Sequence, residues 1–167
     1  MMDFSASASQ ARCVALTQEH RGHGVSTAAY YLGRVLVTQG LRVLLVDLTD
    51  RRQRISTLMA RGSVKNLVLW TPSLARAQDV APALDQARRQ TAGRADVILL
   101  DIDAALLERA GGFTLGIDYI VAVTEHTDAG QKSADRIAER LHDEEPPQSR
   151  VGVIFSRVDA AAGELPA

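Results

Sequence analysis

Short apolar runs punctuate this chain, and each gives way to polar residues. Cys13-Val-Ala-Leu-Thr17 is followed by the polar loop Gln18 to Gly24, then by a helical pattern over about Ser26 to Thr38 that Gly40 closes. Arg42-Val-Leu-Leu-Val-Asp47 ends in the polar run Leu48 to Arg54. Ala95-Asp-Val-Ile-Leu-Leu-Asp101 and Asp118-Tyr-Ile-Val-Ala-Val-Thr124 repeat the form, and Arg150-Val-Gly-Val-Ile-Phe155 and Asn66-Leu-Val-Leu-Trp70 add two more runs. Apolar runs of about five residues without alternation mark strands buried on both faces. Helical patterns at about Leu74–Thr91 and Asp128–His142 supply the crossovers. The expected fold is therefore α/β: a doubly wound, mainly parallel sheet flanked by helices in three layers. Ligands of such sheets bind beyond the carboxyl ends of the strands, so the loops after Thr17, Asp47, Asp101 and Thr124 are where chemistry is expected.

Composition agrees with that architecture. The chain has 167 residues, 46% of them hydrophobic but only 4% aromatic, so one domain spanning 1–167 is expected, with a core of Ala, Val, Leu and Ile. Glu144-Glu-Pro-Pro147 reads as a turn before the last strand, and segments 1–11 and 160–167 read as flexible ends. Lys+Arg number 19 against 20 Asp+Glu, a balance that argues against a domain living on nucleic acid. Cys13 is the only cysteine, which excludes an intramolecular disulfide or a thiolate zinc cluster and leaves it as small apolar filler. The amino-terminal residues carry neither a basic nor an apolar signal region, and no apolar run approaches the roughly 20 residues that span a bilayer. A cytoplasmic location is expected.

The loop after the first strand carries the chemistry. Gly22-His-Gly-Val-Ser-Thr27 stands where a phosphate loop stands. Two glycines let backbone N–H groups turn onto an anion, the helix amino terminus adds partial positive charge, and a Ser/Thr hydroxyl can hold magnesium. A phosphate loop reads Gly-Lys-[Ser/Thr] at its end, whereas here the residues are Gly24-Val25-Ser26.

With Gly40-Leu-Arg-Val-Leu-Leu-Val-Asp47, Asp50-Arg-Arg52, Val97-Ile-Leu-Leu-Asp101 and Gly152-Val-Ile-Phe-Ser-Arg-Val-Asp159, this loop resembles the ParA/MinD group of deviant Walker-A P-loop ATPases. Within the group it looks most like the ATPase domain of bacterial tyrosine kinases that regulate polysaccharide export. The likeness runs from about Cys13 to Asp159, with a shortened middle between Arg54 and Asp96. It implies a phosphate cradle from the backbone of Gly22, His23, Gly24 and Val25, flanked by Thr27, with Ser26 as the magnesium hydroxyl. It also implies Asp47 as the acid that positions water or metal, and Asp101 as the Walker B acid. ATP or ADP with magnesium are the implied cofactors, weakened here. Val25 replaces the loop lysine, His20 or Arg21 stands where the signature lysine falls, Thr49 replaces a second acid, and Ser156 replaces an asparagine that contacts the base.

Losing a lysine that neutralises phosphate charge removes roughly 10²–10³ or more in rate. The resemblance therefore implies a regulatory or scaffolding partner in exopolysaccharide or cellulose synthesis and export, or in cell-pole or septum placement, with weak or no ATP hydrolysis. Two alternatives stand beside it: an active ATPase in which Arg21 or a partner's residue supplies the charge, and a structural subunit that heterodimerises with an intact paralogue. Protein partners are expected, membrane-associated ones among them, as is a homodimer or heterodimer. Tyr30, Tyr31 and Tyr119 lie in a helix or open a strand, so no tyrosine tail exists for autokinase activity.

Other residues read more plainly. His20 and His23 lack a third ligand nearby and read as solvated. Asp101-x-Asp103 reads equally as a cation pair or as Asp103 capping a helix over Ala104 to Ala110, and Asp128 as a cap of the next helix. Glu125 and His126 lie at the ligand edge, where a solvated loop is the simpler reading. Arg51, Arg52 and Arg54 form a basic cluster suited to a partner. Arg136 and Arg140, near Glu139 and Asp143, read as a solvated salt-bridged face. Tyr30, Tyr31, Leu32, Val35 and Leu36 read as the core-facing side of the first helix.

Overall fold

Each apolar run becomes a strand, but only the inner runs are buried on both faces; the two at the sheet's edges leave Val68 and Val151, Val153 and Phe155 exposed, contrary to the burial expected of them. The computed structural model describes residues 10–19, 22–49, 54–60, 62, 64–73, 76–142 and 150–156. In chain order the elements are β1 (Arg12–Thr17), α1 (Val25–Thr38), β2 (Val43–Asp47), α2 (Arg54–Ala60), β3 (Leu67–Trp70), α3 (Val80–Thr91), β4 (Val97–Asp101), α4 (Ala104–Arg109), β5 (Tyr119–Glu125), α5 (Asp128–His142) and β6 (Arg150–Ser156). All strand pairings are parallel, in the order β3-β2-β4-β1-β5-β6. All carboxyl ends consequently lie along one edge of the sheet.

The two faces have separate cores. Leu16, Leu45, Leu99 and Val123 pack with Val25, Ala29 and Tyr30 of α1 and Ile55 of α2. On the other face Ala15, Ile98, Leu100, Ile120 and Ala122 pack with Val80 and Leu84 of α3, Leu107 of α4, and Ala134 and Ile137 of α5. Gly33 brings α1 down onto the sheet, since a Cβ there would stand 3.0 Å from a Leu67 methyl. Cys13 belongs to the second core at 1% exposure, and burial pushes its thiol up to about 12, as fits a packing residue.

At the amino-terminal edge two aspartates tie neighbouring strands together. Asp96, just before β4, accepts hydrogen bonds from the backbone N–H of Arg42 at 2.8 Å and from its guanidinium at 2.6 and 3.0 Å. Asp118, just before β5, accepts from the N–H of Cys13 at 2.7 Å and from Arg12 at 3.0 Å. The fork of Arg42 holds the Asp96 carboxyl down at about 2.

Several local expectations are corrected. The polar stretch ending at Arg54 leads into α2, a helix that three apolar residues, Ile55, Leu58 and Met59, tack onto α1. The helix expected from Leu74 starts as a tight turn at Ala77–Asp79 and becomes α3 at Val80; Leu74 itself lies outside the described residues. Tyr30 is buried, but Tyr31 and Val35 are 54% and 55% exposed, because the core-facing stripe of α1 is narrower than the apolar pattern. Thr127, not Asp128, caps α5: its hydroxyl accepts from the Gly130 N–H at 3.0 Å. Asp103 does occupy the cap position of α4, through backbone geometry and without a side-chain hydrogen bond.

Candidate functional site

The side chains of Asp47 and Asp101 end adjacent strands and are partners in the β2–β4 register. Counting back by twos, Asp47 follows Leu45 and Asp101 follows Leu99, so both carboxylates lie on the α1 face, and each is 1% exposed. Leu16, which pairs with Asp101, is the penultimate residue of β1. The two acids that the sequence pattern singles out therefore stand side by side next to the end of β1, from which the loop departs. Thr49, two residues on, donates to Asp47 from its N–H at 3.0 Å and from its hydroxyl at 2.7 Å. Such a local turn explains why a threonine serves here: it orients the acid rather than adding a second one.

The loop itself straddles the sheet. The Gln18 carbonyl accepts from the Ala104 N–H at 3.2 Å at the start of α4. Glu19 turns to the α5 face, where Arg136 donates to its carboxylate at 2.5 and 3.0 Å and Arg140 approaches to 3.8 Å. Both arginines stay solvated and salt-bridged as expected, their side chains 43% and 49% exposed; what differs is the partner. Their principal carboxylate is a loop residue; Asp143 lies outside the described residues.

Beyond Glu19 the chain returns to the α1 face. Gly22 and Gly24 adopt φ of 99° and 89°, a left-handed conformation that costs glycine little. The His23 N–H donates to the Gln18 side-chain oxygen at 3.2 Å, and the first helical hydrogen bond runs from the Ala28 N–H to the Gly24 carbonyl at 2.8 Å. Ser26 is half-buried and Thr27 exposed at the helix start. This is the shape of an anion cradle at a helix amino terminus. Val25 is apolar and 2% exposed, and belongs to the core cluster that holds Leu16, Ala29 and Ile55.

Ser156, the last residue of β6, hydrogen-bonds the loop. Its hydroxyl stands 2.6 Å from the His23 carbonyl and 3.2 Å from the Thr124 carbonyl. Its side chain thus meets the loop backbone directly, a contact that the sequence pattern did not signal. His126 packs edge-on to Phe155 at 5.0 Å between ring centres, beside the same edge. His20, Arg21, Arg51 and Arg52 lie outside the described residues, as do the side chain of Arg54 and the tail 157–167.

Two carboxylates and a serine hydroxyl are hard oxygen donors of the kind that hold magnesium with several waters retained. Parallel strands put the Asp47 and Asp101 backbones about 4.8 Å apart. The donor set fits magnesium; the cradle fits phosphate except at position 25. Among the described residues no group of three or more His, Cys, Asp or Glu side chains is placed to hold a metal ion.

Comparison with known proteins bears on the fold. No protein-family model matches the chain, and no curated protein does. Solved structures match well. A ParA family ATPase from Chlorobium tepidum superposes with a TM-score of 0.65 at 20% identity, covering 89% of this chain and 74% of that one. MinD in the MinC:MinD cell division complex from Aquifex aeolicus gives 0.63 at 19% identity, over 86% and 68%. The kinase domain of the Escherichia coli tyrosine kinase ETK gives 0.61 at 11%, over 90% and 71%. The chain has the fold of the ParA/MinD-type P-loop ATPases, the architecture that the loop and strand pattern implied.

Proposed function

We propose that this chain is a degenerate ParA/MinD-like P-loop protein, one that keeps a weak site for ATP or ADP with magnesium, has lost efficient hydrolysis, and works by contact with a protein partner. The observation that carries this reading is Val25. The residue at the lysine position of the loop is apolar and buried in the α1 core, so the cradle keeps its backbone donors without the side-chain charge that stabilises a transferring phosphoryl group. Asp47, Asp101 and Ser26 would hold magnesium, which when bound supplies positive charge to phosphate oxygens.

The partner role has its own support. β6 ends the sheet, and its Val151, Val153 and Phe155 are 38%, 41% and 36% exposed. An apolar edge strand of this kind pairs readily with another chain. The MinD relative was solved with a second protein, MinC, and polysaccharide synthesis and export or placement at the cell pole or septum are the processes proposed for this chain by the likeness to MinD and to the tyrosine kinases.

Titration calorimetry with ATP and ADP in magnesium, followed by steady-state phosphate release, tests the proposal. Weak heats, release near background, and a gain of about 10²-fold in Val25→Lys are expected. Robust turnover by the wild type that disappears in Arg21→Ala would replace this reading with a working ATPase, and no heat at millimolar nucleotide would leave a purely structural subunit.

A further inference from the structure

The two peptides that meet at His23 are each held. In the Gly22–His23 peptide the His23 N–H donates to Gln18; in the His23–Gly24 peptide the carbonyl accepts from the Ser156 hydroxyl, 133 residues away, at 2.6 Å. A trans peptide is planar, with its C=O and N–H pointing in opposite directions. Fixing the His23 carbonyl onto β6 therefore fixes the Gly24 N–H away from β6. With glycine at 24, rotation of this peptide costs little, and the rotated form would turn a carbonyl oxygen toward any bound anion. What keeps the donor outward is a hydroxyl at the end of β6, two strands across the sheet from β1.

We propose that Ser156 is a positioning residue for phosphate: by pinning the His23 carbonyl it presets the Gly24 N–H as an anion donor in the empty protein. Its only proton then goes to a protein carbonyl, His23 at 2.6 Å in preference to Thr124 at 3.2 Å, which leaves Ser156 none to donate to a base, and affinity follows the phosphate chain rather than the nucleoside. The proposal rests on the nucleotide-binding reading above. It assigns a ligand class to that site, oligophosphates with or without a nucleoside. Glycine serves at 24 because of its φ of 89°; a Cβ there would meet the Ser156 Cβ only at 4.0 Å, an ordinary contact.

The test uses the full chain as wild type, Ser156→Ala and Ser156→Thr. Amide hydrogen exchange at Gly24 is measured without ligand, and calorimetric affinities are measured for inorganic triphosphate, ATP and GTP with magnesium. Wild type should bind the three ligands within about threefold of one another, as backbone donors alone dictate. Ser156→Ala should weaken all three by about fivefold, the worth of one ordinary hydrogen bond, and speed Gly24 exchange, whereas Ser156→Thr should keep both properties. A purely structural role would lower the melting temperature without moving Gly24 relative to the rest of α1. Triphosphate binding that Ser156→Ala leaves intact, or a loss confined to ATP, overturns the proposal while the nucleotide reading stands. Failure of all three ligands to bind wild type overturns both.

Discussion

Glu19 and Arg136 are 117 residues apart in the chain and meet in a forked ion pair, with guanidinium nitrogens 2.5 and 3.0 Å from the carboxylate. The pair ties the start of the phosphate-type loop to the middle of α5, and Glu19 is its more buried member, its side chain 14% exposed. Whatever moves the loop must therefore strain or carry α5.

Breaking the fork should show this coupling. Glu19→Gln and Arg136→Ala should each lower the melting temperature by about 2–4 °C, and the double variant by less than the sum. Arg136→Lys should recover only part, because an ammonium cannot reproduce the two parallel donors. Thermal unfolding of wild type and the four variants at low and moderate salt measures it. Strict additivity would mean that the two side chains do not share an interaction.

The Arg42–Asp96 clamp makes a prediction in acid. Its carboxyl sits at about 2, below the ordinary value of 3.8, so the folded state holds it ionised more tightly than the unfolded chain does. The stabilisation is complete above about pH 4 and is lost as pH falls toward 2. Asp96→Asn should thus cost stability at pH 6, and the gap between the two proteins should close near pH 2. Melting curves across that range decide the matter, and a gap that widens in acid would contradict the assignment. Both side chains are more than a third exposed, 44% and 34%, so the effect should be modest and salt-sensitive.

Gly130 should tolerate no side chain. A Cβ there would lie 2.0 Å from the Glu125 carbonyl oxygen and 2.8 Å from the Thr124 hydroxyl, where the first turn of α5 crosses the end of β5. Gly130→Ala should cost about 2–3 kcal/mol by forcing helix and strand apart. Gly62→Ala, with nothing within 4 Å, should be close to neutral in the same denaturant titration.

Much of this was legible in the chain. Six apolar runs announce six strands, the inner ones because strands buried on both faces need no alternation and the edge runs because they read alike even where Val68 and Val153 end up exposed, and the helical patterns between them supply crossovers and hence parallel pairing. Asp47 and Asp101 could be singled out because each ends such a run. The α2 helix was missed because its seven residues are too few to show a period, and packing on α1 rather than propensity makes it. Tyr31 and Val35 were misplaced for a related reason: periodicity gives the direction of a helical face but not its width.

The amino-acid order alone determined the layer architecture, the edge where chemistry could sit, and the lysine missing at Val25, since all three depend on local pattern and residue type. Only the tertiary structure decided what holds the loop. Glu19 meets Arg136, Ser156 meets the His23 carbonyl, and the two acids stand in register, because parallel strands bring residues far apart in the chain to one edge. No local rule specifies such contacts. They are settled by which strands become neighbours, and that choice is made by packing the whole sheet at once.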